Sequence, residues 1–561
     1  MMVCTPEAEF EKTVMAMRPA TSEKRAGPKA ESGIERLVEA LTEPGRYPHP
    51  VERVEVLQTH ISYVLLAGDY AYKIKKPVDL GFLDFTTLEA RRQCCGEELR
   101  LNRRTAPDLY LATVPITGSD SNPVLDGPGP AIEYAVKMRR FAQDALLDHV
   151  AREGKLTPSL VDAIAARLAE FHASIDVAGP GAPFGEPDHV VTPSRANFDH
   201  IERLIGNSPD VPQLERLRSW TERESARLAP TFTERKRGGF VRECHGDLHL
   251  GNIALIGNEP TPFDCIEFNA DLRWIDVMNE VAFLVMDLAD HRLPRLAIRC
   301  LNGYLEATGD YAGLAVLRFY LVYRAMVRAK VACIRAHQSG LAGKAKAAVE
   351  AEYRGYFRLA EDLTRAGKTA LVLTHGLSAS GKTTVAGVLA EQLGAIRLRS
   401  DVERKRLFGL PPMARTASAV GGGIYTPDAS RRTYGRLAEL ARTVLTAGWP
   451  VIVDATFLRD AERAAFRSLA RELAVSVAFV SCTAPGQELR ARILARERGG
   501  TDASEAGLAV LARQRDAIEP ASSEEARDTL VIDTSRPREL WEPLLRALAE
   551  RLGIRPWAPG Q

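Results

Sequence analysis

Apolar and polar positions begin to alternate at Val51. The run VERVEVLQTHISYVLLAGDYAYKIKKPV predicts strands, two of them joined by a Gly68-Asp69 turn. Ahead of it, Ile34 to Leu41 reads as a short amphipathic helix stopped by Glu43-Pro44-Gly45. Residues 1–33 show little periodicity and predict a disordered tail, with a short helix around Phe10 to Met17. Thr86 to Arg104 has a helical pattern, and Leu109 to Ile116 and Ala131 to Met138 read as strands flanking a loop rich in Gly, Pro and Asp. This is a small five-stranded lobe with one helix, about residues 50–138. After Arg140 the period becomes helical at Asp144 to Glu153, Pro158 to Ala173, 195–206, 211–228, Trp274 to Leu288, and from Pro294 to about Ala366. A strand-loop-strand-strand stretch, RECHGDLHLGNIALIGNEPTPFDCIEF (242–268), interrupts these helices.

The pattern changes again at Thr369. TALVLTHGLSASGKTTVAGVLAEQLG reads as a buried strand, a glycine loop and a helix. Ala395 to Leu398, Trp449 to Phe457, Val475 to Cys482 and Leu530 to Asp533 read as further strands. A helix at Glu488 to Arg498 and a terminal one at Pro537 to Leu552 lie among and after them. Strands alternating with helices predict a parallel sheet. The fold class is therefore α/β and α+β multidomain, with a two-lobed module over residues 34–366 (helical lobe about 139–366) and a parallel-sheet α/β module over 367–561.

Length agrees with that division, since 561 residues exceed what one core sustains. Lys+Arg number 74 against 73 Asp+Glu, so no global basic field favours bulk nucleic-acid binding. Eight cysteines occur without metal-ligand spacing, which argues against zinc and against a disulfide framework; Cys94-Cys95 reads as helix packing. The sequence lacks an apolar run near 18 residues and an N-terminal apolar core, which predicts a cytoplasmic protein with no membrane partner.

The candidate chemistry in 242–268 is phosphoryl transfer. Asp247 can accept a proton from an attacking hydroxyl, while Asn252 and Asp264 can hold Mg²⁺ against ATP phosphates. The order follows H-x-D-x-x-x-x-N and then an Asp, with Phe263-Asp264 standing where kinases carry D-F-G. A lysine on the strand Tyr72-Lys73-Ile74-Lys75 needs an anionic partner. Lys73 is the preferred phosphate contact over Lys75, which shares its strand face, and Lys76 is read as solvated. Glu98 is preferred to Glu97 as the helix carboxylate that pairs with the lysine. Glu133 to Val136 would offer backbone groups to adenine. Asp276 reads either as a helix N-cap or as a brace for the catalytic loop. Arg324, Arg328 and Lys330 read as a solvated basic face in preference to a substrate cleft.

With HGDLHLGN, the following FD, LAEFHA and the strand lysine in view, residues 36–360 resemble the aminoglycoside-phosphotransferase-like branch of the protein-kinase-like fold. The resemblance implies Asp247 as catalytic base, Asn252 and Asp264 as Mg²⁺ ligands and Lys73 as phosphate contact. It departs at the glycine-rich loop, where only Ala67-Gly68-Asp69 punctuates the hairpin and no phosphate contact is assigned.

In the second module, Gly376 to Thr383 matches G-x-x-x-x-G-K-[ST] between a strand and a helix. The expected nucleotide-binding residues are Gly376, Ser378, Ser380, Gly381, Lys382, Thr383 and Thr384, with Lys382 on the β/γ-phosphates and Thr383 in the Mg²⁺ shell. Asp401, just past a strand end, reads as a catalytic carboxylate or as a helix cap. Asp454 and Thr456 end the third strand and suit the Mg²⁺ shell and acceptor positioning. Arg492 and Arg496, four apart on one helix face, read as a lid over the phosphates. Pro411 to Thr426 reads as a mobile loop. The module resembles small P-loop kinases (polynucleotide 5′-kinase, gluconate kinase, zeta-toxin and chloramphenicol phosphotransferase relatives). SDVERKR fits the acceptor segment, which implies acceptor binding by Arg404.

The leading expectation is a two-site phosphotransferase that uses ATP (GTP as the second candidate) and Mg²⁺ to phosphorylate a hydroxyl of a small molecule. A nucleic-acid end is the less favoured acceptor. The alternative is a regulatory ATPase in which the P-loop module gates the other. Oligomeric state is left open.

Overall fold

The computed structural model describes residues 28–59, 61–79, 83–337, 343–416, 422–499, 503–554 and 557–560. The short helix expected at Phe10 to Met17 and part of the loop expected to be mobile (417–421) lie outside the described residues. The chain divides into two compact units, one of residues 1–292 and 316–364, the other of 293–315 and 365–559. Residue 560 groups with the first and 561 with the second.

Helices of eight or more residues are numbered below. The first unit opens with α1 (Pro28–Ala40), followed by β1 (Val54–Gln58), β2 (Ser62–Ala67) and β3 (Tyr70–Lys75). Then come α2 (Leu88–Asn102), β4 (Tyr110–Gly118), β5 (Pro123–Leu125) and β6 (Glu133–Arg139). All strands of this sheet pair antiparallel in the order β1-β2-β3-β6-β4-β5. The sheet has six strands where five were expected. The addition, β5, is a three-residue edge strand beginning at Pro123, a place where a residue without an N–H is tolerated. β2 is buried at every position, so its apolar run faces core on both sides. Thr87 caps α2 by accepting from Ala90 N at 3.1 Å, and Cys94 and Cys95 are buried in its packing face.

The helical part comprises α3 (Pro158–Ser174), α4 (Pro187–Ile205), α5 (Val211–Arg237) and α6 (Val277–Asp290). Helix α7 (Pro294–Thr308) follows, then α8 (Leu314–Ala336) and α9 (Gly343–Thr364). Between α5 and α6 lie β7 (Val241–Glu243), β8 (Ile253–Ile256), β9 (Glu259–Pro262) and β10 (Trp274–Asp276). The expected helix at Trp274 thus starts three residues later, because Trp274 to Asp276 pair antiparallel with β7. Helix α7, expected within the helical lobe, groups with the second unit. There Asn302 Nδ2 donates to Ala395 O at 2.9 Å and Glu306 meets Arg399 at 2.6 Å.

The second unit contains β11 (Ala370–His375), α10 (Lys382–Leu393), β12 (Ile396–Arg399), α11 (Ser400–Leu407) and α12 (Pro427–Thr446). It continues with β13 (Val451–Asp454), α13 (Asp460–Glu472), β14 (Ser476–Thr483), α14 (Gly486–Gly499), α15 (Leu508–Ala517), β15 (Thr529–Asp533) and α16 (Arg538–Leu552). The sheet is parallel throughout, in the order β12-β13-β11-β14-β15. The chain reverses its direction of travel at the central strand β11, where a doubly wound sheet opens a crevice at the carboxyl ends of its strands. Among the described residues, no helix is long and apolar enough to cross a membrane.

Candidate active sites

The segment 245–252 of the first unit, the candidate catalytic loop, is buried and held from several sides. His245 Nε2 meets Phe263 O at 2.8 Å while its Nδ1 accepts from Asp247 N at 3.3 Å, a pair of contacts that puts the ring proton on Nε2. Asn252 Nδ2 donates to Asp247 O and to Asp247 Oδ2, each at 2.9 Å, which fixes the carboxylate plane. Asp264 adopts φ 65°, and its N–H donates to the Tyr110 hydroxyl at 3.2 Å. An aspartate tolerates this left-handed backbone better than most side chains.

Lys73 Nζ bridges Glu98 Oε1 (2.9 Å) and Asp264 Oδ1 (3.1 Å). Lys75 contacts the other oxygen of Glu98 and also Glu267. Both lysines therefore share Glu98, and the two carboxylates Asp264 and Glu267 close the chain at its ends. Glu97 lies toward the surface, paired with Arg100 and Arg273. Lys76 is half-buried, donating to Thr59 O with its ammonium 4.6 Å from the Tyr63 ring, in contrast to the solvated position expected.

The groups that hold the catalytic loop were not singled out by sequence. Glu280 Oε1 accepts from Gly246 N at 2.7 Å and its Oε2 meets His172 Nε2 at 2.8 Å. Burial opposes ionisation of Glu280, yet the His172 contact and the Gly246 N–H hold its carboxyl below the usual range. Asp287 Oδ2 accepts from Leu250 N at 2.8 Å. These two carboxylates lie seven residues apart on α6, hence on one face, at either end of the apolar run Val281 to Met286. That isolation was the available signal. Asp276 is an N-cap, accepting from Met278 N at 2.9 Å, and binds Arg235 at 2.6 Å; it does not brace the loop. Arg324, expected on a solvated face, is buried and donates to Gly246 O at 3.0 Å and to Asn279 Oδ1 at 2.7 Å. Lys330 is buried too, while Arg328 is partly buried and donates to the Tyr356 hydroxyl at 3.1 Å. Cys244 lies beside His172 and Glu280, the ligand atoms of the three within 4.8 Å of one another, with both Glu280 oxygens already engaged as described.

In the second unit, the loop between β11 and α10 takes φ 131° at Gly376, 64° at Ala379 and 84° at Gly381. A Cβ on Gly376 would lie 2.4 Å from Cys482 O, so only glycine fits this close approach. Gly381 caps α10, and the helix N-terminus opens onto a cavity of about 980 Å³. Ser378, Gly381, Lys382, Thr383 and Thr384 line it; so do Asp401, Arg404, Asp454, Thr456, Arg492 and Arg496. Every expected site residue of this module except Gly376 and Ser380 therefore meets at one cavity, and those two shape the loop behind it. Lys382 Nζ donates to Leu377 O at 2.7 Å; burial lowers its pKa, with Asp454 and Asp401 opposing the shift. Burial raises the Asp454 carboxyl, against the pull of Arg399, Arg397 and Lys382 and a hydrogen bond from Thr383. Arg492 reaches the loop itself, donating to Ala379 O at 3.3 Å and to Thr534 Oγ1 at 2.9 Å. Arg496 donates to Ala506 O. Thr456 Oγ1 lies 3.3 Å from the Tyr434 hydroxyl. Two partners were not foreseen: Gln514, whose Oε1 accepts from Ser378 N at 2.7 Å, and Tyr425, over whose ring the Arg404 guanidinium lies at 5.1 Å.

The phosphotransferase enzyme family matches residues 134–320, and an AAA domain matches 371–521. The uncharacterized protein Rv2004c of Mycobacterium tuberculosis is 32% identical over 476 residues, covering 83% of this chain and 92% of the relative. The uncharacterized protein Mb2027c of Mycobacterium bovis matches at the same identity and coverage. Among solved structures, the amicoumacin kinase hAmiN is 15% identical with a TM-score of 0.38, covering 59% of this chain and 95% of that one. A gluconokinase from Sinorhizobium meliloti is 22% identical with a TM-score of 0.24, covering 34% of this chain and 95% of that one. Two family matches in tandem identify a phosphotransferase of the kinase type with ATP-binding sites. The chain belongs to the same family as these mycobacterial proteins, with an aminoglycoside-phosphotransferase-like module of the protein-kinase-like fold followed by a P-loop ATP-binding module.

Proposed function

We propose that the protein transfers the γ-phosphoryl group of ATP to a hydroxyl of a small-molecule acceptor, at two separate sites. The observation that carries this reading is the continuous buried network Asp264–Lys73–Glu98, with Asp247 and Asn252 joined to each other on the adjacent catalytic-loop segment. In the first site Asp247 takes the proton of the acceptor hydroxyl as that oxygen bonds to the γ-phosphorus. The bond from the γ-phosphorus to the β,γ-bridging oxygen breaks, and ADP leaves. Lys73 contacts the phosphates and Glu98 holds Lys73 in place. Asn252 Oδ1 is buried with no hydrogen-bond partner among the described residues, and Asp264 presents a carboxylate nearby in sequence, a donor set that fits a hard divalent cation. Bound Mg²⁺ would neutralise charge on the phosphate oxygens.

In the second site the Gly376–Thr383 loop and the N-terminus of α10 cradle the triphosphate, with Lys382 on it and Arg492 and Arg496 above. Asp401 is the base, Asp454 and Thr383 would hold the cation, and Arg404 and Thr456 position the acceptor. The expected compartment is the cytoplasm.

The test is transfer from γ-labelled ATP over a panel of hydroxyl metabolites and 5′-hydroxyl oligonucleotides, comparing wild type with Asp247→Ala and Lys382→Ala. Each substitution should remove transfer to its own acceptor by at least about a hundredfold, the scale of losing one group that acts in the transition state. Unchanged transfer in both variants refutes the two-site reading.

A further inference from the structure

The P-loop cavity has two parts of opposite character. Lys382, Asp401, Arg404, Asp454, Arg492 and Arg496 make one part densely charged. The other part lies between α12, α13 and α15 and is walled by Gly435, Ala438, Ala461, Ala465, Val510 and Ala517. On each helix the two wall residues are three, four or seven positions apart, hence on one face. Gly435, Ala461 and Ala465 are exposed and the other three are half-buried, so this wall has surface open to the cavity. Tyr434, next to Gly435, places its hydroxyl 3.3 Å from Thr456 Oγ1, and Ala461 follows Thr456 by five residues. The apolar part therefore begins at the end of β13, beside Thr456. Val510 and Ala517 lie one turn to either side of Gln514, whose contact with Ser378 N holds this third wall to the P-loop.

The polar side chains of the apolar part are engaged by the protein itself. The Tyr434 hydroxyl accepts from Phe457 N at 3.2 Å. Glu462 accepts from Arg459 N at 3.4 Å and hydrogen bonds to Tyr434, and burial raises its carboxyl above the usual range. Arg431 meets Asp428 at 2.8 Å. Arg459 and Arg513 are exposed, and their long stems carry the charge to water. A polar ligand group here would give up water's hydrogen bonds for few replacements, whereas an apolar group gains by leaving water. Gly435 points the same way. It stands inside the 20-residue helix α12, where glycine is less stable than alanine. A Cβ added there would meet no atom within 4 Å beyond its own helical turn, so packing among the described residues does not require the glycine. The room it leaves belongs to the cavity.

We propose that the acceptor of the P-loop module is an alcohol bearing a compact apolar group (an aryl ring or a branched alkyl chain) that fills the space between α12, α13 and α15. Its hydroxyl stands at Asp401 and Thr456. This rests on the reading of the module as a nucleotide-dependent phosphotransferase. The hydroxyl oxygen bonds to the γ-phosphorus, its proton passes to Asp401, and the bond to the β,γ-bridging oxygen breaks to release ADP. Gly435 and Ala465 become specificity-determining residues, because their small size sets the room for the apolar group.

The probes are 3-phenylpropan-1-ol and 4-methylpentan-1-ol, with glycerol as the control that lacks an apolar group. Each is titrated into the full chain saturated with Mg·AMPPNP, and binding is followed by NMR line broadening of the alcohol. At least one probe should bind about tenfold or more tighter than glycerol. Gly435→Leu and Ala465→Leu fill the space from two different helices, and each should weaken that probe about tenfold or more with AMPPNP affinity unaltered. A preference for the phenyl probe points to an aryl group and a preference for the other to branched alkyl; either supports the proposal. It is overturned if glycerol binds as tightly, if neither probe binds, or if both filling variants bind the probe as wild type does. A fall in AMPPNP affinity in the filling variants overturns it too, since the space would then belong to the nucleotide. Gly435→Leu replaces a helix-weakening residue where no neighbour is in the way, which keeps the test decisive if Ala465→Leu does not fold. If Lys382→Ala leaves AMPPNP stoichiometry unchanged, the nucleotide reading of the module itself falls, a failure read on AMPPNP and not on the alcohols.

Discussion

Lys75 lies wholly buried between Glu98 and Glu267, two residues along the strand from Lys73. A buried ion pair adds little net stability, but removing one member strands the other. Lys75→Met should therefore destabilise the first unit by about 3–5 kcal/mol, read as a lower urea midpoint, and Lys75→Met with Glu267→Met should recover most of the loss. A double variant no more stable than the single one would show that the two residues do not act as a pair. Lys330 supplies a pH signature. Burial lowers its pKa to about 7, against 10.5 for the free group, and His200 on α4 is one neighbour whose own pKa is pushed down beside it. Between those two values the unfolded chain binds a proton that the folded chain does not, so stability from this group rises with pH from about 7 to about 10.5 and is flat below. Lys330→Met should raise Tm most below about pH 7, under the lower end of that window, and remove the rise. An unchanged pH slope of Tm in that variant would contradict the assignment.

At the scale of elements, α6 is the support of the catalytic loop. Its Glu280 and Asp287 accept from Gly246 N and Leu250 N, while Arg324 of α8 holds the Gly246 carbonyl. Glu280→Ala leaves buried donors unsatisfied and lets the loop shift, so turnover at the first site should fall about tenfold or more while nucleotide affinity of the P-loop site stays unchanged. Unaltered turnover would remove the bracing role. Glu280 is held below the ordinary carboxylate range, so its contribution to stability is complete above that range and is lost as pH falls through its folded-state value. In the second unit, Gly376→Ala brings a Cβ within 2.4 Å of a carbonyl at φ 131° and should abolish nucleotide binding there. The strands and the glycine loop were legible because apolar runs and loop chemistry are local signals. The braces were not, because Glu280 and Gly246 are 34 residues apart and Lys73 and Asp264 are 191 apart. Proximity of that kind is made by tertiary packing. Trp274 was misread for a related reason: its apolar pattern suits a helix, but pairing with β7 draws it into a strand.

Over the whole molecule, two compact units each contain a complete set of candidate groups, with Asp247, Asn252 and Asp264 in one and Lys382, Asp401 and Asp454 in the other. The change from irregular α+β to alternating β/α periodicity made two modules legible in the sequence. That α7 groups with the second unit was not legible, since it depends on Asn302 and Glu306 finding partners about ninety residues later. The central claim is two independent nucleotide sites, and calorimetric stoichiometry of Mg·AMPPNP tests it most directly. Wild type should bind two equivalents per chain, Lys382→Ala and Asp264→Ala one each, and the combined variant none. A single equivalent in wild type, or loss of both equivalents on Lys382→Ala alone, would contradict it.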